Sequence, residues 1–136
     1  MDDKVIKYYR KLQRTGFPHA GIIDDAAILL DAVQENMRIC DHVGVDSLQV
    51  RLKVTNGIVE KIRYLCTCDP TTNVVVEIMC GLVEGRNLAD LDLSIEAFTE
   101  ALGSENEDFV KKANGLTELV HRGIERYHAE RPEAVH

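Results

Sequence analysis

The sequence predicts an α+β fold, in which a three-stranded antiparallel sheet is covered on one face by helices and an N-terminal helix comes first. Two observations support this prediction. Residues 47–55 alternate apolar with polar side chains, and Asn56-Gly57 separates them from a second strand-like run, as in a β-hairpin. Apart from the first helix, every strongly helical pattern follows that hairpin, so strands and helices are segregated along the chain.

The first predicted element is an amphipathic helix over residues 3–14. Its apolar side chains recur at helical spacing among lysines and arginines: Val5, Ile6, Tyr9 and Leu12. Gly16 ends this helix, and Phe17-Pro18 begins a loop. Residues 26–33 are apolar without a clear period, so both strand and helix fit there; we favour the third strand of the sheet.

The hairpin strands have a clearer pattern. In residues 47–55 one parity is apolar: Leu48, Val50, Leu52 and Val54. The second strand is predicted over residues 58–68, with its inward parity formed by Ile62, Tyr64, Cys66 and Cys68. Two antiparallel strands joined by a tight turn follow from this pattern.

The remainder of the chain is predicted to be helical. Asp69-Pro70 opens a helix over residues 70–84 that ends near Gly85. Asn87 and Ser94 are predicted to cap two short helices, over residues 88–91 and 95–102. Ser104 and Glu107 have the spacing of a capping box before a long final helix. The apolar stripe of that helix comprises Phe109, Ala113, Leu116, Val120, Ile124 and Tyr127, and the tail after Ala129 is predicted to fray.

Length and charge limit the classes of function. The 136 residues fit one domain, 1–136, and a formal net charge of −7 disfavours nucleic-acid and membrane-surface binding. The N-terminus has no apolar signal core, which predicts a cytoplasmic protein. The sequence contains no glycine-rich phosphate loop, nucleophile elbow or HExxH motif, so we do not expect an enzyme.

Four cysteines, expected to be reduced in the cytoplasm, stand out. Cys80 lies within an apolar helix and is assigned to the core. Cys66 fits either a small core residue or a ligand. Cys68 directly precedes Asp69-Pro70, at the positive end of the following helix, which makes it the best candidate for a reactive or metal-binding thiol.

Cys40-Asp41-His42 offers three side chains of the types that bind zinc or iron, in a segment expected to be a loop. The alternative is a solvated loop with an incidental thiol. The remaining histidines lack partners at metal-ligand spacing and are predicted to lie on the surface: His19, His121, His128 and His136.

The chain resembles the NifU/IscU family of iron–sulfur cluster assembly scaffolds over most of its length. The strongest segments read DKVIKYYRKLQRTG near the N-terminus, KVTNGIVEKIRY at the hairpin and LVEGRNLADL after the first long helix. The resemblance implies a three-stranded antiparallel sheet with helices on one face. It also implies a site at one end that holds a nascent cluster, or zinc, through three cysteines and an aspartate, with sulfur supplied by a cysteine desulfurase.

The residues implied as ligands depend on the alignment. Without a gap, the first ligand motif falls on Gly44-Val45-Asp46, which keeps only the aspartate; a short insertion places it on Cys40-Asp41-His42. The second ligand falls on Asp69, or on Cys68 after a shift of one residue. The third falls near Lys112-Ala113, where there is no cysteine.

Three hypotheses follow. The leading one is a scaffold-like carrier of iron, an iron–sulfur cluster or zinc, without turnover chemistry of its own. Its ligands would be Cys40, Cys66 and Cys68, assisted by Asp41, His42, Asp46 or Asp69. The second is a sulfur acceptor like the SufE proteins, with Cys68 carrying a persulfide. The third is an interaction module on a degenerate scaffold fold. Expected partners are a cysteine desulfurase and other assembly proteins, and a homodimer sharing one cluster remains open.

Overall fold

The computed structural model describes residues 2–32, 47–67 and 69–130. The elements are α1 (Asp3–Thr15), β1 (Ile28–Asp31), β2 (Leu48–Thr55), β3 (Ile58–Cys66), α2 (Pro70–Val83), α3 (Ile95–Leu102) and α4 (Glu107–Glu130), with a 3₁₀ turn at Leu88–Asp90. The strands form one antiparallel sheet in the order β1-β2-β3. The predicted fold class is confirmed, including the N-terminal helix and the strand favoured over residues 26–33.

One face of the sheet packs against the helices. α4 contacts β1, and α2 contacts β3. The side chains that point to this face are buried: Ile28, Leu30, Leu48, Val50, Leu52, Ile62 and Tyr64. On the opposite face of β2, Gln49, Arg51 and Lys53 are only partly buried. The alternation in the sequence therefore reports which face of the sheet meets the helical layer.

The β2–β3 turn has the geometry that its sequence predicts. Asn56 and Gly57 adopt φ values of 53° and 79°, the left-handed conformation that a two-residue hairpin turn requires. The register shifts between Lys53 and Val54, which marks a β-bulge next to the turn. β3 ends at Cys66, two residues before the predicted end, and Cys68 lies outside the described residues.

α2 is the central helix of the protein. It contacts α1, α3, α4 and β3, and ten of its 14 residues are buried. A helix surrounded in this way is apolar on nearly all sides, which explains the run of valines from Val74 to Val76. The predicted N-terminus is confirmed, because the Asp69 side chain accepts a hydrogen bond from the Thr72 N–H. Cys80 is completely buried, as predicted.

The predicted cap of α4 was wrong by two residues. The Phe109 N–H donates to Oδ1 of Asn106 over 3.0 Å, so Asn106 begins the helix. The Ser104 hydroxyl donates instead to Asp2 Oδ2, over 3.2 Å. The apolar stripe of α4 is buried as far as Val120, and Ile124 and Tyr127 are partly buried. The tail beyond residue 130 lies outside the described residues.

None of the helices in the described ranges combines the length and the apolar character that a bilayer crossing requires.

Candidate functional site

The candidate site concerns the end of the sheet where β3 finishes and α2 follows. The Ala32 N–H donates to the Leu48 carbonyl over 3.1 Å, at the end of β1. The Thr67 N–H donates to the Ser47 carbonyl over 2.9 Å, just before β2. Residues 32 and 47, which flank segment 33–46, therefore lie at the end of the sheet where β3 finishes.

Most of the predicted ligands belong to parts of the chain that the structure does not describe. Cys40, Asp41, His42 and Asp46 lie in segment 33–46, and Cys68 falls between β3 and α2. The described candidates are Cys66 and Asp69. Among the described residues, no group of three or more histidine, cysteine or acidic side chains is arranged to hold a metal ion.

Cys66 is the last residue of β3 and lies opposite Leu48. Its side chain is partly buried against the core, on the same parity as Ile62 and Tyr64. Cys66 is disulfide-bonded, so the expectation that the four cysteines are reduced was wrong for this residue. A role as a thiolate ligand therefore requires this cysteine to be reduced first.

Asp69 connects the sheet end to α2 and α4. Its Oδ1 accepts the Thr72 N–H over 2.8 Å, while its Oδ2 lies 3.9 Å from Nζ of Lys112. The side chain is 30% exposed. One carboxylate oxygen of Asp69 thus caps α2, and the other lies near the ammonium group of Lys112 while the Asp69 side chain is partly exposed to water.

Lys112 occupies the position where the resemblance implies a third ligand. Its side chain is only 4% exposed, and Nζ lies 2.6 Å from Oδ1 of Asp108, one helical turn earlier. The neighbouring Ala113 is fully buried. A buried ammonium group held by two carboxylates, Asp69 and Asp108, therefore stands where a thiolate would be expected. Burial of such a charge requires pairing of this kind.

The two carboxylate partners of Lys112 line a cavity of about 500 Å³, which is formed by Asp2, Asp69, Thr71, Asn106 and Asp108. Its lining is rich in hard oxygen donors. Such donors suit oxygen-preferring cations better than they suit iron–sulfur clusters. The described residues that line this cavity offer no thiolate, which is the donor that an iron–sulfur cluster prefers.

A second polar cluster, which sequence reasoning missed, lies beneath α1. Glu77 of α2 is almost completely buried, and its carboxylate accepts three hydrogen bonds. His19 donates from its backbone N–H to Oε2 over 3.2 Å, and its ring Nδ1 lies 2.8 Å from Oε1. The Tyr64 hydroxyl donates to Oε2 over 2.9 Å. The prediction that His19 lies on the surface was wrong, because Glu77 draws the ring inward and leaves it 16% exposed.

Glu84 extends this cluster toward the sheet. It accepts hydrogen bonds from the Ile62 N–H and from Arg63, over 3.1 Å and 2.8 Å. Its Oε1 lies 3.6 Å from Nε2 of His19. Partial burial by itself raises the pKa of Glu84, but these hydrogen bonds and the nearby positive charges outweigh burial and lower the pKa.

The buried acids affect neighbouring groups. Burial, reinforced by the charge of Glu77, raises the pKa of the Tyr64 hydroxyl and of the Cys80 thiol. The pKa of Tyr8 is raised for the same two reasons. Cys80 is therefore a protonated, inert thiol at neutral pH, which agrees with its assignment to the core.

One signal in the sequence pointed to this second cluster. Glu77 interrupts the apolar run of α2 between Val76 and Ile78, and a buried carboxylate needs partners. The sequence does not reveal that His19 is the partner, because the two residues are 58 positions apart.

Comparison with known proteins adds no assignment. No protein-family model matches the chain, and no curated protein matches it.

Proposed function

We propose that this protein is a scaffold-like carrier in iron–sulfur cluster assembly. Its cargo is iron, a nascent cluster or zinc, held by Cys40, Cys66 and Cys68 with help from Asp41, His42, Asp46 or Asp69. The observation that carries the proposal is the topology of the sheet end. Residues 32 and 47, which flank segment 33–46, lie at this end together with the end of β3 and the start of α2, so each candidate ligand belongs to a stretch of chain that is anchored there.

The architecture supports the proposal without establishing it. A three-stranded antiparallel sheet with helices on one face is what the resemblance to the NifU/IscU family implies. A fold by itself does not define an activity, so the argument rests on ligand chemistry. Thiolates are the donors that both iron–sulfur clusters and zinc prefer.

Lys112 fits a site with an altered ligand set. Its ammonium group occupies the position where the resemblance implies a third thiolate, and it is already paired with Asp69 and Asp108. Lys112 is linked to Asp69, the residue that follows Cys68. We therefore propose that Cys40, Cys66 and Cys68 hold the cargo together with one oxygen or nitrogen donor, and that α4 contributes no ligand.

Anaerobic reconstitution tests the proposal. The protein is first reduced with a thiol, so that Cys66 is free to bind, and is then incubated with ferrous iron and sulfide and desalted. We expect visible absorbance and bound iron, both lost in the double variant Cys40→Ser/Cys68→Ser. Cys80→Ala is the matched control, because it removes a buried thiol far from the proposed site chemistry. A colourless product without bound iron contradicts the cluster function, and native mass spectrometry with zinc then tests the zinc form.

A second candidate function is a persulfide acceptor. It is favoured by the start of α2 at Pro70, which puts the positive end of a 14-residue helix two residues after Cys68. Incubation with a cysteine desulfurase and cysteine, followed by mass spectrometry, separates the two functions. A persulfide on Cys68 without bound metal supports the acceptor, whereas reconstituted metal without persulfide supports the carrier.

A further inference from the structure

The outer side of α1 carries a row of cations. Lys4, Lys7, Lys11 and Arg14 recur at spacings of three and four residues, which places them along one side of the helix. All four are exposed. None of them forms an ion pair with a carboxylate in the part of the chain that the structure describes. We refer to these four residues as the α1 stripe.

The α1 stripe contrasts with the rest of the protein. α1 contains five of the 16 cations and one of the 23 acidic residues, a net charge of +4 in a chain of net charge −7. The other residues therefore carry a net charge of −11. Positive charge concentrated on one helix of an acidic protein favours a ligand that is negative and small enough to avoid the acidic remainder.

The stripe borders a groove with an apolar interior. One cavity of about 240 Å³ is lined by Lys4, Lys7, Tyr8, Lys11, Arg14 and Leu102. A second cavity, of about 330 Å³, shares Tyr8 and Lys11 with the first. Its lining includes the apolar side chains of Leu12, Ile78 and Leu82 together with His19 and Glu77, and we refer to it as the inner cavity. We refer to the two adjoining cavities as the α1 groove.

We propose that the α1 groove binds an acidic segment of a partner protein. Carboxylates of the segment pair with the α1 stripe, and one aliphatic or aromatic side chain enters the inner cavity. Charge complementarity supplies orientation and a fast association rate, while burial of an apolar anchor supplies most of the affinity. This inference rests on residues of α1 and α2 and does not depend on the cysteines.

Two other polyanions fit the surface less well. α1 spans 13 residues, or about 20 Å, and a nucleic acid that extends beyond it meets an acidic protein surface. An anionic membrane binds amphipathic helices by burying their apolar side in lipid. In α1 that side is already used, since Val5 and Leu12 are buried in the core. A short protein segment is the ligand that fits both the charge and the cavity.

Nuclear magnetic resonance titration of the full chain tests the inference. The probe is a synthetic peptide that alternates glutamate with leucine and phenylalanine. We expect chemical-shift changes concentrated on α1 and around Ile78 and Leu82, with affinity falling several-fold between about 50 and about 300 mM sodium chloride because salt screens the exposed stripe. Saturating peptide without changes at α1 overturns the proposal.

Charge variants separate a specific site from a general attraction. Lys7→Gln/Lys11→Gln is expected to weaken peptide binding about tenfold, given the strength of two partly screened charge contacts. Lys61→Gln/Arg86→Gln removes the same charge from exposed positions elsewhere and is expected to leave affinity unchanged. Equal weakening by both pairs shows a net-charge effect and overturns the proposal.

Probe variants test the occupant. A peptide in which serine replaces leucine and phenylalanine should bind at least several-fold more weakly, since it cannot fill the inner cavity. Equal binding by this peptide overturns the role of the cavity. A single-stranded oligonucleotide or vesicles of anionic phospholipid that bind the α1 stripe more tightly than the peptide overturn the assignment to a protein partner.

Discussion

The ring of His19 and the carboxylate of Glu77 meet across 58 residues of sequence, with Nδ1 2.8 Å from Oε1. The backbone N–H of His19 donates to the second carboxylate oxygen. Both carboxylate oxygens of Glu77 therefore attach the loop after α1 to α2. Tyr64 adds a third donor from β3. Glu77 therefore joins the N-terminal loop, the central helix and the sheet, and its buried charge makes each of these hydrogen bonds important for stability.

Replacing Tyr64 with phenylalanine removes one donor from this buried carboxylate. We expect Tyr64→Phe to lower the free energy of unfolding by about 1.5–3 kcal/mol, the range for hydrogen bonds to charged groups. Urea denaturation measures the change. Tyr9→Phe is the matched control, because no hydrogen bond engages the Tyr9 hydroxyl in the described residues. A loss in Tyr64→Phe as small as that in the control would show that Glu77 does not need this donor.

The periodicity of the sequence was sufficient to predict the elements of this fold. The alternation around Val50 and the Asn56-Gly57 turn identified the hairpin, because a strand with one buried face repeats every two residues. The hydrophobic periodicity of a sequence indicates which side chains are buried, but it does not indicate which residues they contact. It could not reveal that His19 meets Glu77, nor that Lys112, on the buried side of α4, is paired with Asp69 at the start of α2 as well as with Asp108 of its own helix.

Two neighbouring residues were possible caps of α4. Ser104 has capping-box spacing, yet Asn106 directly precedes the helix and caps it. The Ser104 hydroxyl is instead drawn to Asp2 by tertiary packing. The candidate metal site was predictable only as a set of residue types along the chain, because ligand geometry depends on how distant segments meet.

Alkaline pH is expected to destabilise the protein through Cys80. Burial, with a contribution from Glu77, raises the pKa of this thiol well above its ordinary value. In the unfolded chain a thiol ionises near pH 8.5, as a rough reference. Since the folded pKa is the higher one, the contribution of Cys80 to stability is complete below that pH and is lost as the pH rises toward the folded value. Tyr64 adds a similar loss above about pH 10.

Urea denaturation under reducing conditions, at pH values from neutral to about 10, measures this dependence. The free energy of unfolding should begin to fall near pH 8.5, with a slope of at most about 1.4 kcal/mol per pH unit for one proton. Cys80→Ala should show a shallower decline between about pH 8.5 and 10. Parallel declines in the two proteins would contradict the role of Cys80.

Asp69 makes two structural contacts, the cap of α2 and the pairing with Lys112, and two substitutions separate them. Asp69→Ala removes the acceptor for the Thr72 N–H and is expected to cost about 0.5–2 kcal/mol of stability. Asp69→Asn keeps an acceptor and should cost less, although it loses the attraction to Lys112. Urea denaturation of both variants shows whether Asp69 stabilises the protein mainly through the helix cap or through its attraction to Lys112. Equal losses would show that the pairing with Lys112 is the main contribution.

Two of the helical glycines, Gly81 and Gly123, should respond to alanine with opposite signs. At Gly123 of α4, an added Cβ would lie 1.9 Å from Cδ2 of Leu30 and 3.4 Å from its Cγ. Leu30 is buried in the sheet beneath α4, so α4 and β1 must separate or Leu30 must leave its favoured rotamer. Overpacking of this kind costs about 1–3 kcal/mol. Gly123→Ala should therefore lower the free energy of unfolding.

Gly81 of α2 provides the comparison, because an added Cβ there meets no atom within 4 Å. Alanine is favoured over glycine in a helix interior by about 0.8–1.0 kcal/mol, so Gly81→Ala should stabilise the protein by up to that amount. Thermal and urea denaturation of the two variants side by side measure the contrast. Both substitutions gain the same helix propensity, and the difference between them therefore reports the close contact of α4 with β1. If Gly123→Ala also stabilises the protein, Leu30 has room to move and this contact does not limit the packing of α4 on the sheet.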